Sequence, residues 1–295
     1  MNRPELVADG VYRLRTLMVN VYFVAAEAGW VLVDTGLRGY AGTIAHAAER
    51  LFGRGTRPLA IVLTHGHFDH IGGLPALADR WGAPVYAHRL ELPFLTGRES
   101  YPPFDPTAGG GLMTLLSPTN SRSPIDLGGR VDALPLSHHV PMLSAWRWVH
   151  TPGHTRGHVS LFRDRDRTLI AGDAVVTTKQ ESLVHVATER PMVWRPPAYA
   201  TPDWSRARRS IAELAALEPE LLATGHGRPL AGGAMRRALH RLGDRFDEVV
   251  PATAAAPLWV RGYVVPALTA AGIGTAAFAV RRSRHPSSAA GHGVR

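Results

Sequence analysis

The chain contains no cysteine. Disulfides are therefore excluded, as is a thiolate-rich structural zinc site, and the fold does not depend on an oxidising compartment. Lysine is almost missing as well: Lys179 is the only one, and apart from histidine every other cationic side chain is arginine. Acids are missing from the tail that carries Arg281, Arg282, Arg284 and Arg295, so the formal charge of +9 falls to +5 over residues 1–280. That remainder is too small to argue for nucleic-acid binding. The stretch 1–11 has neither a basic n-region with an apolar core nor a small-residue cleavage site, so no signal peptide is read and the expected location is cytoplasmic.

A long uncharged run does occur at 262–280, followed by Arg281-Arg-Ser-Arg284. Its length would allow a membrane span, but Pro266, Gly272, Gly274 and many alanines make it only weakly apolar. A packed arm or a contact between two copies in a homodimer is the favoured reading, ahead of membrane contact. The expected organisation is one domain over 1–250, with an arm and basic tail over 251–295.

Within that domain, apolar runs alternate with helical spacing. Residues 11–25 and 30–36 read as strands joined by hairpin turns. Ile44, Ala47, Ala48 and Leu51 mark a helix with Thr43 placed as its cap and Gly53 as its end. A strand over 57–64, a helix over 74–81 and a strand over 83–88 follow, which implies sheet layers covered by helices. Residues 92–136 carry Pro, Gly and Ser clusters and read as an insertion with a lid-like position over a site. Strands return at 146–150, 159–162, 168–171 and 220–224. An amphipathic helix is expected over 202–217 and a last one over 231–249.

The densest chemistry lies in Thr64-His65-Gly66-His67-Phe68-Asp69-His70, between the apolar run 59–63 and the helix over 74–81. A strand end can deliver His65 and His67 at alternate positions, while Asp69 and His70 turn with a starting helix toward a second point. One loop thus supplies donors for two neighbouring cations, and imidazole with carboxylate suits zinc, iron or manganese. The same pattern recurs: His154 follows the strand at 146–150, Asp173 the one at 168–171, and His226 the one at 220–224. Asp34 ends its strand before a glycine, either to orient a ligand histidine or to bond its own turn.

Taken in order, His65-x-His67-x-Asp69-His70, His154, Asp173 and His226 closely resemble the metallo-β-lactamase-fold hydrolases of the glyoxalase II-like kind, over about residues 11–238. The resemblance implies an α/β fold, a four-layer αββα sandwich with its site at one edge between the sheets. It implies two Zn(2+), with iron or manganese as alternatives. His65, His67 and His154 would hold the first metal and Asp69, His70 and His226 the second, with Asp173 bridging them. Two cations roughly 3.5–4 Å apart share a water whose pKa drops toward about 7, giving a bridging hydroxide. Asp69 is the candidate for orienting it and relaying its proton, with Asp173 keeping the metals together; both are the catalytic candidates. His158 and Asp34 match supporting positions of the family.

The expected reaction is hydrolysis of a thioester, lactone or related ester of a small molecule. Acyl-homoserine lactonases carry a tyrosine three positions after the bridging aspartate, where this chain has Val176, so Tyr101 or Tyr199 would have to substitute. The helical glutathione-binding domain of true glyoxalase II is not evident. The other readings are an iron-dependent persulfide dioxygenase, a phosphodiesterase, and a binding protein on an inactive scaffold. Lys179, Thr177 and Thr178 are placed to meet an anionic substrate group, and His138 or His139 to line the pocket. His46, His88, His150, His185 and His240 are read as surface or locally paired.

Overall fold

The computed structural model describes residues 3–251. The expected arm and tail, including 262–280, lie outside the described residues. Among those residues, no helix is long and apolar enough to cross a membrane.

Seven strands form the first sheet in chain order: β1 (Glu5–Ala8), β2 (Val11–Thr16), β3 (Val19–Ala26), β4 (Gly29–Val33), β5 (Ala60–Val62), β6 (Val85–Ala87) and β7 (Val131–Ala133). The first four are antiparallel neighbours and β4 to β7 run parallel. The second sheet holds β8 (His139–Val140), β9 (Leu143–His150), β10 (Val159–Arg163), β11 (Thr168–Ile170), β12 (Leu221–Ala223) and β13 (Leu230–Ala231), again in chain order. Only its β11–β12 pair is parallel. The helices are α1 (Ala41–Phe52), α2 (Phe68–Ile71), α3 (Leu74–Trp81), α4 (Leu92–Leu95), α5 (Leu112–Leu116), α6 (Leu183–Thr188), α7 (Trp204–Ala216), α8 (Gly232–Asp244) and α9 (Phe246–Val249).

Strand alternation builds the layers. In β3, β4 and β5 the side chains of Phe23, Leu32 and Ile61 turn to one face and pack on Ile44 and Ala48 of α1 and Leu74 and Leu77 of α3. Their neighbours Tyr22, Val24, Val31, Val33 and Val62 turn to the other face and meet Trp148, Leu161 and Ile170 of the second sheet. Phe162, Leu169 and Leu222 leave that sheet on its far side and pack on Ile211 and Leu214 of α7 and Leu239 of α8. A strand buried on both faces needs apolar residues on both, and Trp30-Val-Leu-Val33 of β4 and Ala60-Ile-Val62 of β5 have them at every position. The result is the four-layer αββα sandwich.

Several local expectations are corrected. Helix α1 starts at Ala41 with Tyr40 at its N-cap, so Thr43 lies inside it and caps nothing. The last helix is two, broken at Arg245. Within the lid-like insertion 92–136, α4 and α5 form and β7 joins the edge of the first sheet, elements that the sequence reading did not give. The short strands β1, β8 and β13 and the helix α6 carry too little periodicity to be read.

Candidate metal centre

Strands β4 and β5 are parallel with Val33 beside Val62, and β11 and β12 are parallel with Ile170 beside Ala223. Strand β9 runs with β11, since both are antiparallel to β10. The loops leaving these ends therefore open on a common rim. The sheets are tied together there: the Thr64 carbonyl accepts the Val159 N–H at 2.9 Å and the Gly225 carbonyl accepts the Asn20 N–H at 2.8 Å.

All seven expected metal donors meet at this rim. His65, His67 and His154 form one set, Asp69, His70 and His226 another, and His65, His70 and Asp173 a third between them; within each, the donor atoms lie within 4.8 Å of one another. The Asp173 carboxylate faces both outer sets. Its Oδ2 is 3.5 Å from His154 Nε2 and 3.1 Å from His226 Nε2, and its Oδ1 is 3.5 Å from His70 Nε2.

Hydrogen bonds on the outer side of the imidazoles set which nitrogen faces inward. Asp34 Oδ2 is 2.8 Å from His70 Nδ1, so that nitrogen carries the proton. The same carboxylate accepts the Thr64 hydroxyl at 2.7 Å, which leaves Thr64 Oγ1 to accept from His65 Nδ1 at 3.1 Å. His226 Nδ1 donates to the Met18 carbonyl at 2.9 Å, and His154 Nδ1 pairs with Thr201 Oγ1 at 3.2 Å. Four rings thus turn their Nε2 toward the cluster. His67 is turned the other way, its Nδ1 2.9 Å from His154 Nε2. Asp34, a left-handed residue at φ 59°, is an orienting carboxylate and not a turn residue bonded to itself.

Asp173 is aimed by His158. The ring accepts the Asp173 backbone N–H at Nε2, 2.9 Å away, and its Nδ1 donates to Thr151 Oγ1 at 2.8 Å. Burial pushes the His158 pKa down to about 3, so it stays neutral in this role. Two glycines make room. A Cβ on Gly225 would fall 2.1 Å from Asp173 Oδ1, and one on Gly172 2.6 Å from His158 Nε2.

The donors fit a metal. His65 Nε2, His70 Nε2 and Asp173 Oδ1 are buried and have no hydrogen-bond partner among the described residues, a costly arrangement unless a cation takes their lone pairs. Burial would lower the His226 pKa, but Asp173 and Asp69 more than offset it and push it up to about 10. The site is thus electronegative enough to hold a positive charge. Asp69 is the least enclosed of the acids, its side chain 14% exposed beside His226 Nε2 at 3.4 Å.

Glu91 and Asn20 escaped the sequence reading. Glu91 is fully buried and accepts from Gly66 N at 3.0 Å, Gly157 N at 2.8 Å, Thr155 Oγ1 at 2.8 Å and the Tyr101 hydroxyl. It clamps the two histidine loops together. The only signal was a single charge inside the apolar run Leu90-Glu-Leu-Pro-Phe-Leu95. Asn20 acts likewise on the third loop, donating to the Thr224 and Gly227 carbonyls at 2.8 and 2.7 Å.

Other expectations fail here. Thr177 and Thr178 are buried and bonded to Thr224, His226 and the His185 carbonyl, and Lys179 lies over the Trp194 ring at 5.5 Å; none lines the cavity beside the donors. His138 stacks on Trp148, and neither it nor His139 lines that cavity. His88 and His150 stack on each other at 4.3 Å, a local pair as expected. The Tyr101 hydroxyl is taken by Glu91, while Tyr199 borders the cleft over the donors with Asp69, Asp173 and His226.

A donor cluster of histidines and aspartates at the rim between two sheets of an αββα sandwich defines a metallo-hydrolase. The chain belongs to the metallo-beta-lactamase superfamily, which its residues 14–226 match. It is 46% identical over 245 residues to the probable metallo-hydrolase YflN of Bacillus subtilis, covering 82% of this chain and 93% of that one. It is 31% identical over 229 residues to the uncharacterized protein YobT of the same organism, covering 76% and 90%. Among solved structures it is similar in fold to BJP-1, a subclass B3 metallo-beta-lactamase of Bradyrhizobium japonicum, with a TM-score of 0.58 at 20% identity over 89% of this chain and 96% of that one.

Proposed function

We propose that this metallo-hydrolase uses two zinc ions to cleave a small carboxylic ester, thioester or lactone, the glyoxalase II-like chemistry of the superfamily. The observation that carries a metal pair is the Asp173 carboxylate, within 3.5 Å of donors from both outer sets. His65, His67 and His154 would hold one ion, Asp69, His70 and His226 the other, and Asp173 would join them. Bound zinc supplies Lewis acidity and brings the pKa of water toward about 7.

The chain's own groups do the rest. Asp69, the less enclosed of the two acids, would take a proton from the attacking water and pass it to the leaving group. Burial keeps the Tyr199 hydroxyl pKa well above its usual value, so it stays a donor and can bond the substrate carbonyl or leaving oxygen where Val176, buried away from the cleft, cannot. Asp34, His158 and Glu91 hold the loops in register. A cytoplasmic setting agrees with a chain free of cysteine.

Elemental analysis of the protein, with a panel of thioesters, lactones, esters and phosphodiesters, tests this reading. About two zinc per chain with ester or thioester turnover is expected, and Asp173→Ala should lose metal stoichiometry and turnover together. One iron per chain with oxygen uptake would point to the dioxygenase instead, and full turnover in Asp173→Ala would remove the bridging role.

A further inference from the structure

We propose that the cavity beside the donor cluster is an acyl-chain subsite, shaped for the uncharged apolar chain of the substrate. This rests on the ester hydrolase reading and extends it to substrate class. The cavity has a volume of about 370 Å³, within the range of small-molecule sites. Phe94, Tyr101, Pro102, Pro103, Phe104 and Tyr199 line it. Phe94 stacks on Tyr101 at 4.0 Å, and Phe104 meets Tyr199 edge-on at 6.2 Å. The wall is fixed relative to the metal donors, because Glu91 bonds Tyr101 and also holds Gly66 and Gly157 of the ligand loops.

Two features tie the cavity to the chemistry. At its inner end it shares His67, Phe104, His154, Tyr199 and Ala200 with the cleft that reaches Asp69, Asp173 and His226. A chain lying in the cavity therefore leads its reacting carbon to the donors. The charge of the lining also selects. Its guanidinium, Arg156, is paired with Glu99 at the exposed rim and lies over the Phe94 ring at 5.2 Å, while Asp105 adds a second carboxylate. Two acids against one paired base leave the walls away from the donors no surplus positive charge to hold a polyanionic chain, so apolar burial is the attraction there.

The test uses the zinc-loaded full chain with 4-nitrophenyl esters and matched thioesters from acetyl to decanoyl. The expected kcat/KM rises on the order of fourfold per buried methylene and levels off once the cavity is full. Ala200→Phe at the inner end and Ser100→Phe at the mouth should each lower the decanoyl-to-acetyl ratio of kcat/KM at least tenfold. Should a variant not fold, the chain-length profile of the unaltered protein decides alone. A flat profile across esters that are turned over overturns the subsite and leaves the ester reading standing. If no ester is turned over, that reading fails, and calorimetric titration with 1-octanol judges the subsite: binding to the unaltered protein supports it, and no binding overturns it.

Discussion

The Asp34 carboxylate lies 2.8 Å from His70 Nδ1 and reaches His65 through the Thr64 hydroxyl, so one acid outside the donor set fixes the tautomer of two donors, one from each outer set. It sits at the end of β4 and they follow β5, two neighbouring parallel strands. Removing it should loosen both rings without removing a ligand. Asp34→Ala is expected to weaken metal binding by roughly 10–100-fold. Competition against a chromophoric chelator measures this, and an unchanged affinity would show that Asp34 does not tune the donors.

Glu91 should matter most to stability. Glu91→Ala takes the acceptor from the Gly157 N–H and the Thr155 hydroxyl in the interior, at about 1–3 kcal/mol for each unpaired donor, while the Gly66 N–H keeps the Tyr101 hydroxyl at 3.1 Å. Urea unfolding is expected to show a lower midpoint with the slope kept. A midpoint equal to that of the parent would mean that the two loops are held by something else.

Gly225 sets how closely its loop approaches Asp173 and His70. In Gly225→Ala the new methyl group would meet Asp173 Oδ1 and His70 Cε1, at 2.1 and 2.7 Å in the present geometry. Displacing Asp173 by that margin should cost turnover on the order of a hundredfold. Circular dichroism separates a displaced site from a lost fold; undiminished turnover would contradict the close approach.

His88 gives a pH signature away from the metal donors. Burial, with His150 and Arg89 beside it, lowers its pKa to about 4 from an ordinary 6.5. The unfolded chain then binds a proton between these values that the folded chain refuses, so the group's contribution is present above pH 6.5 and is lost as the pH falls toward 4. His88→Gln should flatten the stability profile across that window. If urea midpoints of parent and variant fall in parallel with acid, another group is responsible.

Much of the site was legible because metal donors follow strand ends, and both the apolar strands and the histidines and aspartates are short-range patterns. Helix α3 matches its expected bounds because Leu74, Leu77, Ala78 and Trp81 keep helical spacing up to Gly82. Thr43 misled because a capping residue type inside a helix looks no different from one at its start. Glu91 went unread, since nothing local shows that Gly66, 25 residues before it, and Gly157, 66 residues after it, will fold over it.

By itself, the sequence determined the alternation of strands and helices, the candidate donors and the exclusion of thiolate chemistry, since each is a property of residue type and spacing. The convergence of His154, Asp173 and His226 on the first loop, the tautomers set by Asp34, Thr64 and Met18, and the apolar cavity beside them were decided only by the packing of one sheet on the other. Those features depend on distances between groups far apart along the chain, and such distances exist only once the layers have closed.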